Sequence, residues 1–244
     1  MAQSPLDARN DAISDLALDV TQAVLARGDE AQSLMEDPNG PLVLARALSD
    51  FFQIAGALEA GAATLTEDER DEFCAYGLDL LDRLAFLVRK LEIMDKRDAV
   101  ARMFASMGLW MARRGATIDN LEGTADGFGM IVNGTRSTDD LRALCEMMEE
   151  VIESASVSVR RDEDRGDARR PWRVINLNAG IAATRSLDPD LMHRTFEKMG
   201  QRLPEDMPDF LADGMRQAAV QNVPDAVTDV LSAHMARSPA GARH

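Results

Sequence analysis

Aromatic residues are scarce in this chain of 244 residues, where Phe, Trp and Tyr together make up 5% of the sequence. Extended runs of Val, Ile, Thr and Tyr, which favour β-strands, are missing as well. The apolar positions are filled mainly by Ala, Leu and 14 Met, and these residues favour helix. Because 45% of the residues are hydrophobic, the chain can bury a sizeable core. The expected fold class is all-α, with about nine or ten helices.

Basic residues are outnumbered, since 42 acidic residues stand against 27 basic ones and the net charge is −15. This balance argues against a nucleic-acid partner, because phosphate contacts need a dense basic surface. The charge is also uneven. Residues 1–82 carry −13 (17 acidic, 4 basic) and residues 83–115 carry +5 (8 basic, 3 acidic). We favour charge complementarity inside the protein, and an acidic surface facing a partner is the alternative.

Cysteine and histidine are few, which restricts the chemistry available. Cys74 and Cys145 each lie in an apolar helical pattern and are interpreted as buried thiols, with a disulfide as the alternative. His193 and His234 occupy comparable places in two helices and are interpreted as solvated residues, while His244 ends the chain. No zinc-type spacing, phosphate-binding loop or nucleophile elbow occurs in the sequence. We therefore expect no metal, no cofactor and no catalytic set.

Long apolar runs are absent too. The most apolar stretch, "MFASMGLWMA" (103–112), is far shorter than the roughly 20 residues that span a bilayer. The first twenty residues have no basic region followed by a continuous apolar one, as a signal peptide would. We expect no membrane span and a cytoplasmic location. A periplasmic or otherwise exported protein is the alternative if a signal segment has been removed.

Apolar spacing and capping residues place six helices in the first part of the chain. The clearest start is "TEDE", a capping box of Thr66 and Glu69. The stretch 118–134 contains four glycines, each costing roughly 1 kcal/mol in a helix, so a distorted helix is expected there. A short segment at 31–36 precedes a break at "DPNGP". The predicted helices run from Ser4-Pro5 to "ARGDE", then over 42–60, 66–94, 96–114, 118–134 and from "RSTDD" to about 155.

The fourth of these helices is apolar almost all round, which is typical of a helix buried on several sides. Its methionines at 103, 107 and 111 fall on one stripe. Core packing is the first interpretation of this stripe, and a soft lining for an apolar ligand such as a lipid is the alternative. The candidate lining residues are Phe51, Phe52, Met103, Met107, Trp110 and Met111.

Two groups of residues are candidates for contact with a partner. Phe86 lies opposite the apolar stripe of the third helix. Four glutamates in "CEMMEEVIES" share one helix face, where they repel one another unless a cation or a basic partner is near. A solvated face is the first interpretation, a basic partner the second and metal-dependent acid–base chemistry the third. The candidate contacts are Phe86, Glu146, Glu149, Glu150 and Glu153.

A charged, Pro-terminated stretch, "SVSVRRDEDRGDARRP" (156–171), has almost no apolar residues and is interpreted as a linker. It divides the chain into a first lobe of long helices (1–156), the linker proper (157–171) and a second lobe (172–240). Four shorter helices are predicted in the second lobe, at about 172–186, 189–202, 207–221 and 224–237. The short loops between them favour antiparallel helical hairpins.

The second lobe contains an internal repeat, since Leu211 follows Leu177 and Gly214 follows Gly180 by 34 residues. A helix–turn–helix period of 34 residues resembles the tetratricopeptide repeat. With the two glycines as anchors, the positions that match that family's small, large and proline positions are Phe196, Pro204, Phe210, Ala226, Val230 and Ala233.

The resemblance covers about residues 172–239 and departs from the family where Met192 and Met199 replace alanines. It implies stacked hairpins in a right-handed superhelix with an extended binding surface. We therefore expect a non-catalytic helical-repeat protein that binds a protein or peptide, with a basic partner favoured by the acidic surface. A carrier of an apolar small molecule in the first lobe is the alternative. An enzyme acting through His193 or the glutamate face ranks third.

Overall fold

The structure, a computed structural model, describes residues 4–27, 40–163, 165–221 and 223–237. Within these ranges the chain forms eleven α-helices and no β-strand, which confirms the all-α fold class. The predicted segment at 31–36 and the last residues of the predicted second lobe lie outside the described ranges. The helices are α1 (Asn10–Leu25), α2 (Pro41–Glu59), α3 (Glu67–Lys90), α4 (Arg97–Arg113), α5 (Glu122–Gly134), α6 (Thr138–Glu153), α7 (Val157–Arg161), α8 (Pro171–Arg185), α9 (Pro189–Arg202), α10 (Met207–Gln221) and α11 (Asp225–Arg237).

Local capping chemistry fixes where several helices begin. At the start of α3, the Glu69 amide donates to the Thr66 hydroxyl and the Thr66 amide donates to the Glu69 carboxylate, as the capping box predicts. The Asp188 carboxylate accepts two amide hydrogen bonds at the start of α9. The predicted start of α1 at Ser4-Pro5 is wrong, since the helix begins at Asn10. The segment before it is not helical and buries Leu6 in the core.

Helix α4 lies at the centre of the first part of the fold, as its all-round apolar character predicts. It packs against α1, α3, α5 and α6. Its residues Met103, Ala105 and Leu109 have no solvent exposure at all. The charge asymmetry of the sequence is used internally here, because Lys96 pairs with Asp19 at 2.8 Å and Arg114 pairs with Glu59 at 3.1 Å. Basic residues around α4 thus meet acidic residues of α1 and α2.

The glycine-rich helix α5 begins at Glu122, four residues later than predicted, and continues without a break to Gly134, so the expected distortion is not found within it. Its glycines instead allow close contact with α4. A methyl group at Gly127 would clash with the backbone oxygen of Ala101, and one at Gly123 would clash with the Phe104 ring. The conformational cost of glycine in a helix is therefore offset by close packing between two helices.

The two predicted lobes share one hydrophobic core. Helix α8, at the start of the predicted second lobe, packs against α5 and α6 of the first. The Arg185 guanidinium at its end donates hydrogen bonds to the carbonyls of Val132, in the last turn of α5, and of Thr135, directly after that helix. A single cluster of buried residues extends from Leu6 to Leu231. Packing thus crosses the predicted lobe boundary.

The segment predicted to be a charged linker contains the short helix α7 and a mostly buried arginine. Arg170 pairs with Asp162 at 2.7 Å and with Asp206 at 3.1 Å, and its side chain is only 10% exposed. Asp206 also pairs with Arg173 at 2.5 Å. These contacts correct the linker interpretation, since charged residues join α7, α8 and the α9–α10 connection. Sequence composition alone does not distinguish a solvated charge from one that is paired in three dimensions.

The last two helices form a hairpin at one end of the molecule. Helix α10 packs against α11, and α11 packs against α9. The buried residues of this hairpin are few compared with those of α4 or α6, and they are Met207, Leu211, Ala218, Val227, Val230 and Leu231.

Candidate functional site

The glutamate face of α6 finds its basic partners within the chain. Glu149 accepts from Arg202 at 3.0 Å and from Lys198 at 3.0 Å, and its side chain is only 15% exposed. The interpretation of a solvated face is therefore wrong for this residue. Two further residues of the face are paired as well, Glu150 with Arg113 at 2.8 Å and Glu153 with Lys198 at 2.8 Å. These pairs hold α6 against α4 and α9.

Glu146 and Glu153 are the exposed members of the face, and Glu153 is the one that pairs with Lys198. The hydrogen bond from Lys198 is the largest of the effects that lower the pKa of Glu153, and the same bond raises the pKa of Lys198. Both shifts favour the charged forms that the pair needs. The face consequently serves the packing of the chain, and its ability to bind an external basic partner is limited to its exposed edge.

The candidate lining residues of the first part are packed in the core. Phe51 lies 4.5 Å from Phe73 in a stacked arrangement and 5.2 Å from Phe52 in an edge arrangement, measured between ring centroids. Trp110 lines a half-open cavity of about 510 Å³, where the Arg114 guanidinium lies over its ring. Met111 lines a smaller cavity of about 140 Å³. The other four residues, Phe51, Phe52, Met103 and Met107, line neither of these cavities and are almost fully buried.

Phe86 is exposed, as predicted from its place opposite the apolar stripe of α3. The residue is 53% exposed, and the Lys90 ammonium lies 5.7 Å from the ring centroid. A single exposed aromatic residue is ordinary on a protein surface. Its role in binding a partner remains a prediction.

A groove between α8 and α10 was not predicted as a site. It encloses about 220 Å³. Its apolar lining comes from Leu177 and Ile181 on α8 and from Phe210 on α10, all of them partly buried. The Phe210 ring approaches Gly180 and meets the Phe196 ring edge-on at 5.5 Å. Because Gly180 has no side chain, the Phe210 ring can lie close against α8.

The charged residues of the groove differ between its two walls. On α8, Arg173 is paired with Asp206, and Arg185 donates to two carbonyls at the end of α5. On α10, Asp209 and Asp213 are both exposed, and Asp213 pairs with Arg216 of the same helix. The arginines of the groove are thus engaged in holding the fold, while the α10 rim presents carboxylates to solvent.

The sequence contained one indication of this groove. Gly180 and Gly214, the anchors of the 34-residue repeat, both belong to the helices that form it, and Gly214 lines it directly. The apolar lining was not recognisable, because Leu177, Ile181 and Phe210 are spaced like core residues and do pack partly against the core.

A second cleft, of about 430 Å³, lies between α3, α4 and α5. It brings together the carboxylates of Asp82, Glu122 and Asp126 above an apolar floor that includes Phe104. Burial and the neighbouring charge of Glu122 raise the pKa of both Asp82 and Asp126. Arg89 and Arg97 line the same cleft, so acidic and basic groups are mixed there.

The described residues contain no group of three or more His, Cys, Asp or Glu that could hold a metal ion. Cys74 and Cys145 are free and buried, and burial raises the pKa of each thiol to about 12. Both thiols are consequently protonated at neutral pH, and a protonated thiol is a poor nucleophile.

His193 is exposed to solvent, as expected, whereas His234 is partly buried, and the two rings are in contact with each other. His193 Nδ1 and His234 Nε2 lie 3.1 Å apart and share a hydrogen bond between α9 and α11. This contact was missed because the residues are 41 positions apart in the sequence.

No protein family model, curated protein or solved structure matches this chain.

One described helix, α2, has the length and composition of a membrane span. One third of its apolar stretch is buried inside the structure. Buried helices of soluble proteins can have the same length and composition. The expectation of no membrane span stays a prediction.

Proposed function

We propose that this protein is a non-catalytic helical-repeat binding protein whose groove between α8 and α10 receives a segment of a partner protein. The observation that carries the proposal is the groove itself. It combines an apolar lining of Leu177, Ile181 and Phe210 with the exposed carboxylates of Asp209 and Asp213 on one rim. Apolar side chains in a groove provide affinity, and polar groups at its edge select the partner.

The size of the groove favours a peptide over a whole small molecule. Small-molecule sites usually enclose about 300–1,000 Å³. At about 220 Å³ the groove is smaller than that range. A peptide segment needs to insert only one or two side chains, while the rest of it lies along the surface of α8 and α10.

The charge of the groove and of the whole chain favours a basic partner. The net charge is −15, so the field of the protein attracts positively charged segments from a distance. On the α10 rim, Asp209 then provides a local partner for a Lys or Arg side chain, and Asp213, which pairs with Arg216, adds to the negative charge. The expected occupant is a segment with one large apolar residue flanked by basic residues.

The repeat supports the same proposal. In the tetratricopeptide-like arrangement that we infer, α8 and α10 are the first helices of two consecutive hairpins. Stacked hairpins form extended binding surfaces, because each unit is rotated slightly relative to the previous one. Gly180 leaves room for the Phe210 ring beside α8, and Gly214 leaves room for Leu231 of α11.

Selection from a displayed peptide library tests this proposal. We expect the full-length protein to enrich peptides with an apolar residue flanked by Lys or Arg. Fluorescence polarisation should then show at least tenfold weaker binding to Ile181→Glu, because this change places a charge in the apolar lining. Asp209→Lys should weaken binding as well, because it removes an acidic group from the rim.

Phe86→Glu is the matched control, since Phe86 is an exposed apolar residue on the distant helix α3. It should bind the selected peptides within twofold of the unaltered protein, and circular dichroism should confirm that each variant is folded. Equal binding of the peptides to Ile181→Glu, or loss of binding in Phe86→Glu alone, would contradict a site between α8 and α10.

A carrier of an apolar molecule is the second candidate, favoured by the half-open cavity that Trp110 lines. Its volume of about 510 Å³ is in the range of small-molecule sites. Its other lining residues include Arg9, Glu59, Arg113 and Arg114, so the ligand would need a charged or polar head group. Native mass spectrometry of the purified protein distinguishes the candidates, because a carrier should retain a bound molecule of lipid size.

A further inference from the structure

The contact between the C-terminal hairpin and the rest of the protein includes a pair of histidines. His193 on α9 and His234 on α11 are joined by a hydrogen bond of 3.1 Å between Nδ1 and Nε2. The His234 ring also meets the Phe196 ring edge-on at 5.4 Å, and Phe196 meets Phe210 of α10 at 5.5 Å. One small cluster of rings therefore attaches both helices of the hairpin to α9.

The hydrogen bond between two imidazoles depends on their protonation. A neutral imidazole has one donor and one acceptor nitrogen, so two neutral rings, or one neutral and one protonated ring, can share a proton. When both rings are protonated, every ring nitrogen is a donor, and the two positive charges repel each other. The hydrogen bond can therefore form when one of the two rings is protonated, but not when both are.

The charged groups around the pair come from both helices. Burial, the His193 ring and Arg237 of α11 lower the pKa of His234, and Glu197 of α9 acts in the opposite direction. A histidine whose pKa is lower in the folded state binds fewer protons there than in the unfolded state. Its contribution to stability is therefore present above the ordinary pKa near 6.5 and is lost as the pH falls below it.

The part of the fold to which this contact belongs buries few residues. Helix α10 packs against α11, and α11 provides most of the packing between the hairpin and α9. The hairpin buries only six residues, from Met207 to Leu231, whereas α4 alone buries ten. Elements with few buried contacts open at a lower free-energy cost than the whole protein unfolds.

We propose that the His193–His234 pair is an acid-sensitive contact whose second protonation releases the α10–α11 hairpin from α9. Since α10 carries Phe210 and the acidic rim, release would also take apart the groove between α8 and α10. That last consequence rests on the proposed function, whereas release of the hairpin does not.

Hydrogen–deuterium exchange measured by mass spectrometry on the full-length protein tests the release directly. At pH 5.2, after correction for the pH dependence of intrinsic exchange, we expect α11 amides to exchange at least threefold faster than at pH 7.5. Amides of α4 should stay unchanged. In His193→Gln and His234→Gln the double charge cannot form, so the acceleration at pH 5.2 should fall below 1.5-fold.

His244→Gln is the control, because it removes the third histidine of the chain and leaves the pair intact, and it should respond like the unaltered protein. An unaltered protein whose α11 exchanges equally at both pH values would overturn the proposal. So would glutamine variants that keep the full acid response. Exchange reports the hairpin whether or not any peptide binds, so a failed library selection and a failed acid response are distinguishable results.

Discussion

At the scale of single residues, the close approach of α4 and α5 depends on glycines, which have no side chain. Gly127 faces the backbone oxygen of Ala101, and a backbone atom cannot move aside as a flexible side chain can. Gly134, in the last turn of the same helix, has no neighbouring atom within 4 Å of the position of a methyl group. The two glycines therefore offer a comparison between a packing role and an ordinary helix position.

We expect Gly127→Ala to lower the free energy of unfolding by about 1–3 kcal/mol, because the methyl group forces α5 away from α4. Gly134→Ala should leave stability unchanged or raise it by up to about 1 kcal/mol, as alanine favours helix. Urea unfolding followed by circular dichroism measures both values. A Gly127→Ala protein as stable as Gly134→Ala would show that the two helices can separate without cost.

At the scale of helices and their connections, ion pairs between charged residues link separate segments of the chain. Arg170 links Asp162, which follows α7, to Asp206, which precedes α10. Removing one member of a mostly buried ion pair leaves its partner desolvated and unpaired, which costs more than the pair itself contributes. The neighbouring Arg169 is 95% exposed and provides a matched control.

Arg170→Ala should lower the free energy of unfolding by about 2–4 kcal/mol, since the Asp162 carboxylate loses its partner in a buried position. Arg169→Ala should change it by less than about 0.5 kcal/mol, as most exposed substitutions do. Urea unfolding at pH 7.5 gives both numbers. Equal effects of the two substitutions would support the sequence-based interpretation of a solvated linker.

The elements themselves were largely predictable from local chemistry. The start of α3 followed from Thr66 and Glu69, and the buried position of α4 followed from its apolar residues on all sides. The start of α1 and the regularity of α5 were not predictable, because burial of Leu6 and the contacts of Gly127 are tertiary effects. The same reason explains the candidate sites: Glu149 shows no sign in the sequence that Arg202 lies beside it, 53 residues away.

At the scale of the whole molecule, packing crosses the boundary that composition suggested. Helix α8 buries Ile175, Ala179, Ala182 and Ala183, and it packs against α5 and α6 as well as α9. Neither part of the chain can expose these surfaces to water without losing the stabilisation that their burial provides. The core is therefore shared, although the sequence on either side of residues 157–171 differs in helix length and in charge.

We expect residues before and after α7 to unfold together in one main thermal transition. The calorimetric enthalpy should then agree with the van't Hoff enthalpy, as in a cooperative single domain. Differential scanning calorimetry at pH 7.5 measures both enthalpies, and neutral pH keeps the histidine pair intact. Two well-separated transitions of comparable size would indicate that the two predicted lobes are independent after all.

The buried thiol of Cys145 can be used as a natural probe of helix separation. Its sulfur lies 3.4 Å from the Thr195 hydroxyl, at the contact between α6 and α9. A thiol reagent can reach it only when those helices separate, so the rate of modification measures how often this contact opens. Cys74, buried near the start of α3, measures the same quantity in another region. Comparing the two modification rates would show which of the two regions opens more readily, without introducing a new cysteine.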